Sequence, residues 1–247
     1  MLGKLSIVGI GPGYKEHITA RAKKAIEESS VVVGYRSYIK LIEELVDDKK
    51  VFSSEMRQEI ERAEKALSLA QEGEKVVMVS SGDAGVYGMA SPVLELMAEK
   101  KLDVDFEVVP GVTSALAASA LLGAPLGNDF AVISLSDLLT PWEVIEKRLH
   151  AAGAGDFVIA IYNPKSMKRV RQIALAREIL LKYRDAETPV GIVADACRNG
   201  EKVEITTLKE MLHKEIDMLT TVVIGNSHSY IYQKWIITPR GYRVGKR

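Results

Sequence analysis

Short runs of β-branched and aliphatic residues alternate with longer stretches in which apolar positions recur every three or four residues. LSIVG (5–9), VVVG (31–34), VVMV (76–79) and VDFEVV (104–109) read as strands in the first half. The runs at 130–134, 157–161, 190–194, 202–206 and 220–224 read as strands in the second. Between them, segments 20–28, 36–46, 57–72, 89–100, 141–151, 168–183 and 207–213 read as helices, the first capped by Thr19. RQEIERAEKALSLAQE (57–72) is the clearest: Ile60, Ala63, Ala66, Leu67 and Ala70 fall on one face and charges on the other. Strand–helix alternation of this kind predicts an α/β protein with mostly parallel strands. The pattern restarts after PGVTSA (110–115), which predicts two α/β lobes, 1–111 and 112–247, with a ligand crevice between them. The tail 233–247 reads as irregular.

Composition narrows the function classes. The 247 residues hold 33 basic and 33 acidic side chains, a formal net charge of zero, which lacks the footprint of a general nucleic-acid binder. The longest apolar stretch, ALAASALLGAPL (115–126), is too short for a membrane span, and the N-terminus has no signal-peptide pattern. A cytoplasmic protein without membrane or nucleic-acid partners is therefore expected. A single cysteine, Cys197, and four scattered histidines give no metal-ligand spacing, so no intrinsic metal is expected.

The candidate chemistry lies in glycine-rich loops. VGIGPG (8–13) suggests a dinucleotide fingerprint but fails it, because Tyr14 stands where the third glycine belongs and Pro12 removes a backbone donor. No acid closes the second strand, and no GK[ST] is present. SSGDAGVYGMA (80–90) offers bare backbone and one carboxylate, Asp83, which could either bind a ligand or cap the following helix. Such a surface suits a ligand with amine, carboxylate, ribose and adenine edges.

In order along the chain, VGIGPG, SSGDAGVYGMA, VVPGVTSALAAS, YNP (162–164) and VVIGNS (222–227) resemble the signatures of the tetrapyrrole methylases, S-adenosylmethionine-dependent enzymes outside the Rossmann methyltransferase class. The resemblance covers about residues 4–229. VGYRSY (33–38), EMRQEIERAEKAL (55–67) and APLGNDFAVISLSDLLTPWEVIEKRL (124–149) are similar to the branch that methylates carbon 17 of a precorrin-3B ring. It implies S-adenosyl-L-methionine as cofactor and S-adenosyl-L-homocysteine as product. The acceptor would be a precorrin-3 type tetrapyrrole of cobalamin biosynthesis, its ring contracted in the same conversion and cobalt, where present, carried by the substrate. A homodimer is implied too, with the small-residue helix 114–122 as a candidate interface.

Residue by residue, the resemblance implies cofactor binding by Pro12, Ser81, Gly82, Asp83, Val86, Thr113, Ser114, Tyr162, Asn163 and Ala196. Gly11, Gly13, Arg36 and Arg57 are implied for the substrate, whose carboxylates suit arginine; Lys165 and Arg198 are further candidates. Ala84 departs from the family's GDPxxY, where proline is usual. No catalytic side chain is assigned. His17 is the first candidate for proton transfer, because imidazole ordinarily titrates near neutrality; Asp137 is a further polar candidate. The alternatives are the same fold with another acceptor, or a noncatalytic binder of nucleotides or tetrapyrroles.

Overall fold

The computed structural model describes residues 3–55 and 58–242, and the chain divides into two compact units, Met1–Ser114 and Ala115–Arg247. The first unit is built on five parallel strands: β1 (Lys4–Gly9), β2 (Val31–Tyr35), β3 (Lys50–Ser54), β4 (Lys75–Ser80) and β5 (Asp105–Val109). Their order is β3-β2-β4-β1-β5. Helices α1 (Ala20–Glu27), α2 (Arg36–Lys40), α3 (Glu59–Gln71) and α4 (Ala90–Lys100) form the crossovers. Because side chains alternate along a strand, each sheet face builds its own core. Leu5, Ile7, Val31, Val33, Val76 and Met78 pack with Ala63, Ala66, Leu67 and Val93. Val8, Val32, Val77 and Val79 pack with Ala22, Ala25 and Ile26. Thr19 caps α1 as expected, its Oγ1 accepting from the Ala22 N–H at 3.1 Å.

In the second unit the main sheet comprises β7 (Phe130–Ser134), β8 (Val158–Tyr162), β9 (Pro189–Ala194), β10 (Lys202–Thr207) and β11 (Thr220–Ile224), in the order β10-β9-β11-β8-β7. Only β7 and β8 pair in parallel; β11 runs antiparallel to both β8 and β9, and β10 antiparallel to β9. The expectation of mostly parallel strands therefore fails in this unit. One face packs on α6 (Trp142–Ala154) and α7 (Gln172–Leu180) through Ile133, Ile145, Leu149, Ile159, Ile161 and Ile173. Helix α5 (Ser114–Leu122), which starts at the last residue of the first unit, buries Ala115, Ala117, Ala118 and Leu122. Leu122 lies so close to β9 that a Cβ on Gly191 would stand 2.3 Å from its Cδ1.

Four other expectations need correction. The segment 36–46 forms only α2 and then a 3-10 turn at Glu43–Leu45, and 207–213 only a 3-10 turn at Met211–His213. The helix expected at 168–183 is confined to Gln172–Leu180. The tail is partly ordered: β12 (Tyr230–Tyr232) and β13 (Trp235–Ile237) make a hairpin, and β13 pairs with β6 (Gly123–Ala124).

Candidate functional site

The first candidate cluster lies where β1, β4 and β5 end. β1 and β4 are in parallel register down to Gly9 and Ser80, and the Ile10 N–H still donates to the Ser80 carbonyl at 2.9 Å. Beyond it the two loops pair antiparallel. The Gly11 N–H donates to Gly82 O at 3.1 Å and the Gly82 N–H to Gly11 O at 2.8 Å. This exchange needs φ of +75° at Gly11 and +65° at Gly82, a region in which other L residues are strained. The third loop crosses close by. A Cβ on Gly111 would stand 2.1 Å from Gly82 O and 2.7 Å from Gly9 O, so only bare backbone fits.

Asp83 ties this crossing together. Its Oδ1 accepts from the Gly85 N–H at 2.8 Å, and its Oδ2 accepts from the Gly111 N–H at 2.9 Å. It does not cap α4: the residue at that position is Met89, whose side chain makes no capping bond. Instead the Ala90 N–H at the head of α4 donates to the Ala84 carbonyl at 3.0 Å. That carbonyl takes up the first N–H of the helix, and the loop carries no lysine or arginine to pair with a phosphate. The loop tip carries Tyr87, 58% exposed and at φ +52°. Segments 80–90 and 110–115 contain no lysine or arginine. Their polar groups are carbonyls, amides, the Ser81, Thr113 and Ser114 hydroxyls and the Asp83 carboxylate, a set suited to a cationic ligand with hydroxyl and amine edges.

The second cluster belongs to the other unit. β8 ends at Tyr162, whose hydroxyl accepts from the Ala115 N–H at 2.7 Å, satisfying an early α5 donor that the helix cannot satisfy itself. Its carbonyl accepts from the Leu135 N–H at 2.9 Å. Asn163 follows at φ +50°, its amide Nδ2 donating to Ser134 Oγ at 3.0 Å and its carbonyl accepting from Arg169 Nη2 at 2.9 Å. Past β9, Asp195 and Cys197 are both left-handed (φ +48° and +57°) and bracket Ala196, turning the chain sharply there. Cys197 is buried, and burial, helped by Glu201, pushes its thiol pKa up, so it is a neutral core filler rather than a nucleophile.

The structure brings Gly11, Gly82, Asp83 and Thr113 together; a Cβ on Gly82 would lie 3.6 Å from Thr113 Cα. Pro12 and Gly13 are buried in the first loop, and Val86 is held by a bond from its N–H to Asp83 O. His17 is exposed in a single 3-10 turn at Lys15–His17, with its backbone carbonyl against Gly11. Arg36 makes an exposed ion pair with Glu55 at 2.8 Å, and Arg57 lies outside the described residues. Asp137 accepts from Gln172 Nε2 at 2.7 Å, which pins the loop after β7 to α7. Ser134 and Arg169 were not anticipated. Their link to Asn163 joins loops 29 residues apart in one case, and Arg169 stands in the basic run KSMKRVR (165–171), a composition typical of a solvated helix start. Among the described residues no group of three or more His, Cys, Asp or Glu is arranged to hold a metal, and no helix is long and apolar enough to cross a membrane.

Comparison with known proteins gives a consistent set of relatives. The family model for tetrapyrrole (corrin/porphyrin) methylases matches residues 4–212. A cobalt-factor III methyltransferase of Priestia megaterium is 51% identical over 98% of this chain, which spans 46% of that longer protein. A probable cobalt-factor III C(17)-methyltransferase of Salmonella typhimurium is 49% identical, with 97% of this chain and 100% of that one covered. The crystal structure of the methyltransferase CobJ superposes with a TM-score of 0.91 at 35% identity, over 96% of this chain and 100% of that one. A uroporphyrin-III C-methyl transferase from Thermus thermophilus, solved with S-adenosyl homocysteine, gives 0.70 at 26% identity over 90% and 97%.

Proposed function

The chain belongs to the tetrapyrrole (corrin/porphyrin) methylases, and from that membership we propose that it methylates carbon 17 of a cobalt-factor III type tetrapyrrole, with ring contraction, in cobalamin biosynthesis. It is an S-adenosyl-L-methionine-dependent methyltransferase. The observation that carries the choice of acceptor is the identity of about half of all positions with relatives named for cobalt-factor III, over nearly the whole chain. The cobalt belongs to the substrate.

S-adenosyl-L-methionine supplies a methyl group already activated on a positively charged sulfur. The protein then needs no attacking side chain for that step; it needs to bind and orient, which is worth roughly 7–11 kcal/mol of barrier in well-aligned systems. The donor set fits such a ligand. Segments 80–90 and 110–115 offer carbonyls and hydroxyls on loops tied together by the Asp83 carboxylate, and no lysine or arginine to repel a sulfonium. Carbonyl oxygens of Gly82 and Ala84 are locked by the glycine crossing and the α4 contact, so little reorganisation is required on binding. Ser81, Gly82, Asp83 and Val86 would hold the methionine part, with Pro12, Thr113 and Ser114 beside it. Tyr162, Asn163 and the Ala196 backbone would hold the adenosine. Gly11, Gly13, Arg36 and Arg57 are assigned to the tetrapyrrole.

A cytoplasmic homodimer is part of the same proposal. Helix α5, the interface expected from the sequence, already buries Ala115, Ala117, Ala118 and Leu122 in the single chain, whereas the hairpin carrying the exposed Tyr230, Ile231, Tyr232 and Trp235 offers an apolar surface to a second copy. Light scattering at micromolar concentration tests the stoichiometry. The reaction is tested by incubation with S-adenosyl-L-methionine and the trimethylated ring, with and without cobalt, followed by mass spectrometry of the pigment. Gain of one methyl group on the cobalt form is expected; gain only on the metal-free form would reassign the substrate, and gain on neither would remove the carbon-17 reading.

A further inference from the structure

Three arginines of the described residues are buried: Arg62, Arg169 and Arg184. Arg62 has a carboxylate partner in Glu59, at 3.8 Å, and Arg184 has Asp156, at 3.0 Å. Arg169, only 6% exposed, has no carboxylate within ion-pair distance among the described residues. Desolvating a guanidinium is costly, and the cost is met only by well-placed acceptors. Those that Arg169 has are informative. Nη2 donates to the Asn163 carbonyl at 2.9 Å and lies 3.7 Å from Met218 Sδ, while Nε is buried without a partner. The backbone is tied down as well: the Arg169 N–H donates to Ser166 Oγ at 3.0 Å, and the Ser166 N–H to Arg169 O at 2.9 Å. The guanidinium thus joins the turn after β8 to the segment before β11. One residue on, the Leu219 carbonyl accepts from the Asp195 N–H at 3.1 Å, next to Ala196.

Asn163 and Ala196 both lie at positive-φ turns, Asn163 itself being left-handed and Ala196 standing between two such residues. A non-glycine residue in that region persists only where its surroundings hold it. Ser134 holds the Asn163 side chain and Arg169 holds its carbonyl. We propose that Arg169 is a positioning residue of the cofactor site, fixing the Asn163 turn and, through Met218–Leu219, its register with the Ala196 turn. The role rests on the reading that these two turns hold the adenosine part of the cofactor. The guanidinium acts through Asn163 and Met218, keeping two backbone edges in the shape that adenosine needs.

The test is calorimetric titration of the full chain and of Arg169→Lys, Arg169→Gln and Ser134→Ala with S-adenosyl-L-homocysteine, beside steady-state kinetics. Loss of one charge-assisted hydrogen bond that shapes a site corresponds to about a tenfold or greater change in Kd. Arg169→Gln is expected to raise the Kd and the KM for the cofactor about tenfold. The KM for the tetrapyrrole and kcat at saturating cofactor should stay within about twofold, because the chemistry is untouched. Arg169→Lys should recover part of the loss. Ser134→Ala loosens the same turn from the other side and should weaken cofactor binding in a chain whose buried guanidinium is intact. Unchanged cofactor affinity in folded Arg169→Gln overturns the proposal, as does an equal loss for cofactor and tetrapyrrole. Should the Arg169 variants fail to fold, unchanged affinity in Ser134→Ala overturns it alone. Failure of the parent chain to bind S-adenosyl-L-homocysteine would instead remove the functional reading beneath it.

Discussion

Asp83→Asn separates two uses of the carboxylate in the 80–90 loop. In the structure both oxygens are acceptors for protein N–H groups, Gly85 at 2.8 Å and Gly111 at 2.9 Å. An asparagine of the same shape keeps one acceptor and turns an NH2 group toward the other donor. One charge-assisted bond, worth roughly 1.5–3 kcal/mol, is lost, and a neutral one remains. Asp83 is half-buried, so the lower part of that range applies, about 1.5–2 kcal/mol of unfolding free energy. Urea titration followed by circular dichroism reads the stability, and titration with S-adenosyl-L-homocysteine reads the site. Both should fall together, because Gly111 is released from the crossing that shapes the loop. A variant as stable as the parent that binds the cofactor product many-fold less tightly would refute this reasoning. It would mean that the carboxylate acts on ligand rather than on backbone.

Three further outcomes follow from the same geometry. Gly111→Ala should destabilise by at least about 3 kcal/mol, since its Cβ would meet Gly82 O at 2.1 Å and both loops are backbone-locked; Gly82→Ala, whose Cβ has space, should cost only the roughly 1–2 kcal/mol of a left-handed alanine, and paired denaturation curves check the difference. Burial alone would raise the Glu107 carboxyl, but hydrogen bonds from Ser6 (2.7 Å), Arg21 (2.6 Å) and Lys4 outweigh it and hold the group below its usual value of 4.5. A depressed carboxylate stabilises the fold above its unfolded pKa and loses that contribution as pH falls through the folded value; Glu107→Gln should therefore be less stable at neutral pH and lose less stability on acidification, as read by melting temperature against pH. His17→Gln should leave single-turnover methyl transfer within about twofold and slow ring contraction about 10²-fold if the exposed imidazole moves the proton; unchanged contraction removes it from the mechanism.

Much of the first unit was legible because its strands are continuous apolar runs and its helices have one apolar face. β3 was not, since KVFSS has only two strand-favouring residues and lies at a sheet edge, where no second face demands apolar positions. The antiparallel β9–β10 pair does carry a local sign: only seven residues separate the strands, too few for a parallel crossover. The insertion of β11 antiparallel between β8 and β9 leaves no comparable local mark. The helix expected at 207–213 gives way to i→i+3 turns, Glu210 N–H to Thr207 O and His213 N–H to Glu210 O, because β10 still claims Thr207 and the stretch left is too short to sustain an α-helix. At the candidate site, composition and spacing identified the glycine loops and excluded a dinucleotide fingerprint. That Asp83 serves Gly111, 28 residues away, and that Arg169 turns inward to Asn163 depend on chain crossings that no local pattern encodes.

The central claim is that a cofactor is gripped chiefly by backbone held rigid by glycines and one carboxylate. A crystal structure of the chain grown with S-adenosyl-L-homocysteine tests it most directly. The account expects the product's amino-acid end against the amides and carbonyls of Ser81–Val86 and its adenine against Tyr162, Asn163 and the Ala196 backbone. Density for the product elsewhere, with the Gly82–Asp83 loop making no contact to it, would contradict the account.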